Sequence, residues 1–324
     1  MRSSIPLFAL VVVTCAVAAL APWAGSTPST LPTVTQFTAP TGVGHWNPCW
    51  CPDGSQIAFD DYDADPYNPS LAYKNYPSGT EQEMAAAHRE NMDYAPNLTQ
   101  IVYDKLDGTW THIYVRPIAG GTETALTSGT AGPNASGFGD IQPTFSPDGQ
   151  WVAFASSRDD SVYGRFDIWV VKTDGTNLKK IAPGQAYDPS LWPTWQRDGN
   201  GVVYSDNGNL YVVARTGPTT WMAPEFLASN GNHARFSHDG KYLAFDWQGD
   251  VYAMNVATQA RVNITNDGAS PEDSAPTWGP TDDSIAFSSV GRGGVAQKAI
   301  WIASGVQAVP TQVVTLGQVK ATYR

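Results

Sequence analysis

The stretch PTFSPDGQWVAF, residues 143–154, decides the fold of this chain. It predicts a short strand, a tight Pro-Asp-Gly turn and a second strand, because these turn residues between two apolar runs favour a hairpin. The same phrase returns four times, as PCWCPDGSQIAF (48–59), PTWQRDGNGVVY (193–204), ARFSHDGKYLAF (234–245) and PTWGPTDDSIAF (276–287). An internal repeat of this kind governs the architecture before any other feature does.

The spacing of the repeat predicts its architecture. An aromatic anchor ends the first strand of each copy, at Trp50, Phe145, Trp195, Phe236 and Trp278. We place a sixth, degenerate copy at residues 93–98 (DYAPNL), with Leu98 as its anchor and without a Pro-Asp-Gly turn. The anchors are then 41 to 50 residues apart, and each interval has room for four short strands. This is the blade period of a β-propeller.

We therefore predict an all-β protein, a six-bladed β-propeller of four-stranded antiparallel blades that occupies residues 45–324 as one domain. Residues 34–38 and residues 312–316 both resemble an outermost strand. Either segment could close the ring as the outer strand of the last blade, and the sequence leaves this open.

The N-terminal segment has the pattern of a secretory signal peptide. Arg2 precedes an apolar run at residues 5–20, and small residues follow it. We expect residues 1–26 to be cleaved and residues 27–44 to form a leader that includes the candidate closing strand. The expected location is secreted or periplasmic, without membrane insertion after cleavage; a membrane anchor is the alternative.

The composition limits the classes of partner. The net charge is −11 and the sequence pI is about 4.7, without a cluster of basic residues, so we expect no nucleic-acid partner. Cys49 and Cys51 stand where other copies of the repeat have threonine and serine. We interpret both as small core residues, although a disulfide or a metal site is the alternative for such a pair.

The repeat phrase, followed by I-[YW]-V and D-G-T, resembles the propeller repeats of the TolB-like family, also called PD40 or WD40-like repeats. The resemblance covers residues 48–316 and implies the propeller fold. It implies little about function, since similar blades serve as binding platforms, as propellers of serine peptidases and in polysaccharide lyases. About twenty residues separate the signal from the first blade, so the N-terminal domain of TolB is not expected. No G-x-S-x-G motif is present, which argues against a peptidase.

The loops divide the propeller into two faces. Loops after the second and fourth strands of a blade emerge on one face, and here they include the long loops 60–70, 156–166 and 288–297. We call this the long-loop face. The opposite short-turn face carries turns such as residues 52–54 and 147–149. Because binding residues concentrate on variable loops, we expect the site on the long-loop face.

The candidate ligand-binding residues cluster at the predicted channel mouth on that face. An acidic or imidazole side chain recurs about five residues before the anchors, and tryptophans lie nearby. The candidate set is His45, Asp93, Asp140, Asp188, His233, Asp273, Trp46, Trp192 and Trp247. Such residues could bind a metal, a cation or a sugar. The alternative is structural: the carboxylates bond their own turns, and the tryptophans pack between blades.

The first long loop is a candidate metal site. Asp60, Asp61, Asp63 and Asp65 provide hard oxygen ligands that suit Ca²⁺ or another divalent metal. The loop lacks the glycine and terminal glutamate of an EF-hand, so a solvated acidic loop is the alternative.

We interpret the chain as a monomeric binding platform, rather than an enzyme, that engages a protein or a glycan through its long-loop face. The alternative is a carbohydrate-active enzyme, a lyase or hydrolase, at the channel mouth. For a lyase, the resemblance implies histidine with a divalent metal, with His45, His233, Asp93, Asp140 and Asp273 as candidates.

Overall fold

The protein folds into six antiparallel sheets arranged as the blades of a propeller. The computed structural model describes residues 32–86, 88–129, 139–159, 165–184, 191–268 and 270–306. The predicted all-β, six-bladed fold is confirmed. Helical structure in these residues is limited to one 3₁₀ turn, η1 (Arg292–Gly294), and they include no helix long and apolar enough to cross a membrane.

The first strand, β1 (Thr33–Gln36), belongs to the last blade. Blades one to three each run outward from the channel in chain order. Blade one contains β2 (His45–Trp50), β3 (Gln56–Asp61), β4 (Ser70–Asn75) and β5 (Glu81–Ala85). Blade two contains β6 (Arg89–Tyr94), β7 (Gln100–Asp107), β8 (Trp110–Pro117) and β9 (Thr124–Ala125). Blade three contains β10 (Asp140–Phe145), β11 (Trp151–Ser156), β12 (Asp167–Lys172) and β13 (Lys179–Ala182).

Blades four to six repeat this order with two variations. Blade four contains β14 (Thr194–Trp195), β15 (Gly201–Asp206) and β16 (Asn209–Gly217), and two strands pair with β16, β17 (Thr220–Trp221) and β18 (Glu225–Ser229). Blade five contains β19 (Asn232–Phe236), β20 (Tyr242–Trp247), β21 (Asp250–Asn255) and β22 (Arg261–Asn263). Blade six contains β23 (Glu272–Trp278), β24 (Ser284–Val290) and β25 (Ala299–Ser304), with β1 outside β25.

The N-terminal strand closes the ring. In β1, Thr33 lies opposite Ser304 and Gln36 lies opposite Trp301, in antiparallel register with β25. Beyond β1, the Ile300 N–H donates to Thr38 Oγ1 at 2.9 Å. Of the two candidate closing segments, residues 34–38 overlap β1, which takes this place, and residues 312–316 lie outside the described residues.

The core lies between blades, because a single blade cannot cover both of its faces. At one boundary, Val115 and Leu126 of blade two pack in one cluster with Phe145 and Phe154 of blade three. The boundary between blades one and six is built in the same way. Burial of apolar surface between neighbouring sheets therefore holds the ring together.

The register of blade two differs from the one predicted. Tyr94 lies opposite Ile101, as the anchor Trp50 lies opposite Ile57, so Tyr94 is the anchor and the assignment of Leu98 is wrong. Leu98 adopts φ 58° in the turn, where Gly54 adopts φ 75° in blade one. The sequence PNLT thus replaces the Pro-Asp-Gly turn. Its left-handed leucine is rare for a branched side chain, which is why the pattern did not indicate it.

Candidate functional site

Each innermost strand is kinked three residues before its anchor, and the kink determines which side chains face the channel. The kinked residues share a left-handed backbone and are Asn47, Asn91, Gln142, Trp192, His233 and Ala275, with φ between 39° and 57°. In five blades the ladder with the second strand shifts register at this point. Such a bulge re-aims the side chains that follow it.

A belt of hydrogen bonds joins the blades at the kinks. The Asn91 N–H donates to Asp60 Oδ1 at 2.9 Å, and the Gln142 N–H donates to Asp104 Oδ2 at 2.8 Å. Both acceptors come from the end of the second strand of the preceding blade. Burial, together with the nearby charge of Glu90, raises the pKa of each of these carboxyl groups, Asp60 and Asp104, well above the usual range for aspartate. The carboxyl group of Asp60 therefore links blades one and two by hydrogen bonds.

A cavity of about 390 Å³ lies between this belt and the short-turn face, in the channel. We call it the channel cavity. Its lining runs from Asn47, Asn91, Trp192, His233 and Ala275 at the belt to Pro52, Pro96, Pro147, Arg197 and His238 in the turns between first and second strands. It therefore reaches the face opposite to the one on which the sequence placed the site.

The walls of the channel cavity are aromatic because the anchors of the repeat line it. Trp50, Tyr94, Phe145, Trp195, Phe236 and Trp278 all contribute. The same residues that predict the fold thus give the cavity aromatic surface beside its polar groups. A concave, mostly apolar site with a few polar groups is the usual form of a ligand pocket.

The polar groups in the walls include a positively charged side chain, Arg235, that no described carboxylate neutralises in an ion pair. Asp93 Oδ2 accepts from Thr144 Oγ1 at 2.9 Å and from the Phe145 N–H at 2.8 Å, so its carboxylate already joins blades two and three. Arg235 Nη1 donates to the carbonyls of Pro193 and Ala234. Among the described residues, no carboxylate forms an ion pair with Arg235. Burial lowers the pKa of its guanidinium, while Asp93 opposes this effect.

Cys49 also lines the cavity, but it is a poor nucleophile. Burial, and then the charge of Asp93, raise the pKa of its thiol well above the usual range. Since the thiolate is the reactive form, this cysteine stays inert. Cys49 and Cys51 are both free thiols in this structure.

His233 is held in place at the belt. Its Nδ1 lies 2.6 Å from Asp246 Oδ1, and the Trp192 ring packs against the imidazole with 4.6 Å between centroids. Asp246 also accepts from the Ala275 N–H at 2.9 Å. The pair thus fixes the orientation of His233 at the inner end of the cavity.

Two other predicted residues are buried in ion pairs outside the channel cavity. Asp140 is 2% exposed and contacts Arg158 and Ser156. Asp273 is also 2% exposed and pairs with Arg292 at 2.5 Å. The structure thus does not bring Asp140 and Asp273 together around one opening, and their contacts favour the structural alternative.

The remaining candidates are scattered. Lys298 Nζ lies 4.1 Å from the centroid of the Trp46 ring, and Trp247 packs near the turn at Gly208. Asp65 bonds the N–H of Tyr67 at 2.9 Å within its own loop. Asp188 lies outside the described residues.

His45, Asp61 and Asp63 do come together, at the start of blade one. One potential ligand atom from each lies within 4.8 Å of the others. Asp250, Asp267 and Asp273 form a second such group. Arg292 pairs with both Asp267 and Asp273, however, so a guanidinium already occupies two of the three carboxylates in the second group.

Sequence reasoning missed Arg235 and Glu81. Arg235 directly precedes its anchor, where three other copies have Thr144, Thr194 and Thr277, and this departure from the repeat was a visible signal. Glu81 lies on the outer strand β5, and no local pattern connects it with His45.

No protein-family model matches the chain. The chain is 41% identical over 92 residues to an uncharacterized protein of Agrobacterium fabrum, covering 28% of this chain and 27% of that protein. It is 32% identical over 115 residues to the Tol-Pal system protein TolB of Francisella tularensis subsp. holarctica, covering 32% of this chain and 26% of that protein. The matches span about a quarter of the length of these relatives.

Solved structures share the fold at low identity. TolB from Acinetobacter baumannii has a TM-score of 0.53 at 18% identity, covering 74% of this chain and 60% of that one. An oligogalacturonate lyase in complex with manganese has a TM-score of 0.55 at 13% identity, covering 88% and 96%. A gluconolactonase from Xanthomonas campestris has a TM-score of 0.61 at 12% identity, covering 84% and 89%. With the repeat residues, these matches show that the chain has a β-propeller fold similar to that of TolB.

Proposed function

We propose that this TolB-like propeller is an exported, monomeric binding protein that takes a carboxylate-bearing segment of a protein ligand into its channel cavity. The observation that carries the proposal is the cavity itself, with aromatic side chains in its walls and Arg235 in its lining, where no carboxylate of the described residues forms an ion pair with it. The binding-platform hypothesis is thereby kept, but its site moves from the long-loop face to the short-turn side of the belt.

The charge of the lining favours an anionic group in the ligand. Arg235 and Arg197 bring positive charge to the cavity, and Asp93 is the acidic residue among its lining residues. In a chain with a net charge of −11, this is a local reversal of sign. A guanidinium binds a carboxylate in a bidentate manner, and the partly apolar surroundings strengthen the contact.

The lining of the cavity favours a peptide ligand. Pro52, Pro96 and Pro147 form part of its outer rim, and the anchor aromatics form its walls. Aromatic surfaces accept apolar side chains of a peptide at little cost in conformational entropy. A side-chain or C-terminal carboxylate would then reach Arg235 at the inner end.

The enzymatic alternative has one supporting observation, the oriented His233 beside Asp246. A metal-dependent lyase needs more than this pair. Among the described residues, no three potential metal ligands in the lining of the channel cavity lie close enough together to share one ion. We therefore favour binding over catalysis.

The proposal is tested with a pool of random hexapeptides that carry a free C-terminal carboxylate, measured by the intrinsic tryptophan fluorescence, since four tryptophans line the cavity. We expect saturable quenching that is weaker for the same pool with C-terminal amides. The Arg235→Met variant should bind at least about tenfold more weakly, the loss of one charge-assisted contact. Lys179→Met, which removes an exposed charge outside the cavity, is the matched control.

The proposal is wrong if the peptide pools give no saturable signal, or if Arg235→Met binds like Lys179→Met. Binding and cleavage of trigalacturonate instead would favour the lyase alternative.

Export is supported by the apolar segment at residues 5–20, which lies outside the described residues. N-terminal sequencing of the protein from culture medium or periplasm tests the predicted cleavage near residue 26, and light scattering tests the monomer.

A further inference from the structure

His45 is a buried imidazole without a hydrogen-bond partner. The residue is 0% exposed, and neither Nδ1 nor Nε2 has a partner. The ring packs on Phe59, with 4.5 Å between centroids. A buried polar group left unpaired costs about 1–3 kcal/mol, so such a group needs an explanation.

Carboxylates surround the Nε2 atom of this imidazole. Asp63 Oδ2 lies 3.5 Å away, and Asp61 Oδ1 and Glu81 Oε2 each lie 3.7 Å away. The side chains of Asp61, Asp63 and Glu81 are only 27%, 16% and 32% exposed. Asp63 Oδ1 is also buried without a partner.

These distances do not fit a protonated histidine. An imidazolium N–H bonds a carboxylate at about 2.7–2.9 Å, and no oxygen of the cluster is that close. They do fit ligands of one metal ion. With metal–ligand bonds of about 2.0–2.2 Å, the ligand atoms of a tetrahedral site lie about 3.3–3.6 Å apart.

The cluster also carries uncompensated negative charge. Asp63 Oδ2 accepts hydrogen bonds from the Thr41 N–H and the Thr41 hydroxyl, which suit an ionised carboxylate. Ion pairs from lysine or arginine to Asp61, Asp63 or Glu81 are absent among the described residues. A cation is therefore the missing component.

We propose that His45, Asp61 and Asp63 bind one divalent transition-metal ion, with Glu81 adding negative charge beside it. The donor set of one imidazole nitrogen and carboxylate oxygens suits Zn²⁺ or Mn²⁺. Ca²⁺ and Mg²⁺ prefer oxygen ligands alone and are disfavoured by His45. The site is independent of the proposed peptide-binding cavity.

The position of the site gives the metal a structural role. The His45 N–H donates to the Lys298 carbonyl of blade six at 2.8 Å. Asp63 Oδ2 accepts from Thr41 Oγ1 at 3.1 Å, in the segment that connects the closing strand β1 with blade one. A metal bound here fastens the seam at which the ring closes.

The test uses the mature chain, without a polyhistidine tag, after dialysis against a chelator. Titration with Zn²⁺ should give about one tightly bound ion per chain and raise the melting temperature. Bound Mn²⁺ should show the electron-spin-echo signature of a directly coordinated ¹⁴N nucleus. Ca²⁺ and Mg²⁺ at the same concentrations should have little effect.

Three variants separate coordination from a merely structural effect. His45→Gln should abolish the ¹⁴N signal, and Asp61→Asn, at a partly exposed position, should weaken Zn²⁺ binding by at least about tenfold. Asp65→Asn changes the same charge in the same loop, but outside the cluster, and should bind like the parent chain. The proposal is overturned if the parent chain binds no Zn²⁺ or Mn²⁺, or if a folded Asp61→Asn variant binds Zn²⁺ as the parent does.

Discussion

The backbone N–H of Asn91 donates to the buried carboxylate of Asp60 at 2.9 Å, across the boundary between blades one and two. Asn47 Nδ2 donates to the other oxygen of the same carboxylate at 2.8 Å. One side chain from the end of a second strand thus satisfies donors from two innermost strands. The equivalent position in blade six is Ser288, whose Oγ accepts the Asn47 N–H at 3.0 Å.

This difference predicts unequal costs of substitution. Asp60→Ala removes the acceptor of the Asn91 N–H and one of the two acceptors of Asn47 Nδ2, so we expect it to lower the free energy of unfolding by about 2–4 kcal/mol. Ser288→Ala leaves one donor unpaired and should cost about 1–2 kcal/mol. Urea denaturation followed by tryptophan fluorescence measures both. Equal losses for the two variants would contradict the role of the belt.

The pair formed by Asp140 and Arg158 predicts that Asp140 acts in stability. The side chains are 3% and 14% exposed, so Asp140→Ala leaves an almost buried guanidinium without its carboxylate. We expect a loss of about 3–5 kcal/mol. Replacing both residues, as in Asp140→Ala with Arg158→Met, should cost less than Asp140→Ala alone.

Thermal and urea unfolding of the two single variants and the double variant measure the coupling between these side chains. If Asp140→Ala keeps its stability but loses binding of the carboxylate peptide pool, then Asp140 belongs to a binding site as the sequence suggested, and the structural interpretation fails.

Local turn chemistry explains how far the sequence could predict the fold. Pro52-Asp53-Gly54 and its relatives specify their hairpins without help from the rest of the chain, so most blades were predictable. The anchor Tyr94 was not, because Leu98 adopts a backbone conformation that other leucines avoid. Asn97 Oδ1 makes this turn feasible by accepting the Thr99 N–H at 3.1 Å.

The candidate site was less predictable because it depends on register and on distant strands. His45 and the acidic loop were both singled out, but a bulge in the ladder sets His45 opposite Asp61. Glu81 comes from two strands further out. The channel cavity depends on six kinks whose residues, from asparagine to tryptophan, share no side-chain chemistry. Such features arise from tertiary packing and leave no pattern in the sequence.

Glu123 predicts a pH dependence of stability. Burial opposes the shift, but contacts with Lys105 at 2.7 Å and with Tyr103 and Arg89 lower its pKa from 4.5 to about 2. Because the pKa of the folded state is below the usual value, the stabilisation is fully present above about pH 4.5 and is lost as the pH falls toward 2. The parent chain should therefore be more stable than Glu123→Gln at pH 6, and the difference should shrink by pH 3.

Urea denaturation at both pH values measures this difference. Glu83→Gln, an exposed position on β5, is the matched control and should follow the parent chain at both pH values. A constant difference between the parent chain and Glu123→Gln from pH 6 to pH 3 would show that the ion pairs of Glu123 do not stabilise the fold.

The closing strand predicts how the ring opens. Without residues 32–38, β25 becomes an edge strand with unpaired backbone groups, and Val34 no longer packs against the cluster of Trp278 and Trp301. Exposed strand edges pair with other chains. A variant that begins at residue 39 should therefore melt at a lower temperature and form oligomers, as measured by calorimetry and light scattering.

Thr38→Val, which removes only the acceptor for the Ile300 N–H, should cost about 1–2 kcal/mol and stay monomeric. If the truncated chain melts like the parent, then β1 does not hold the ring closed.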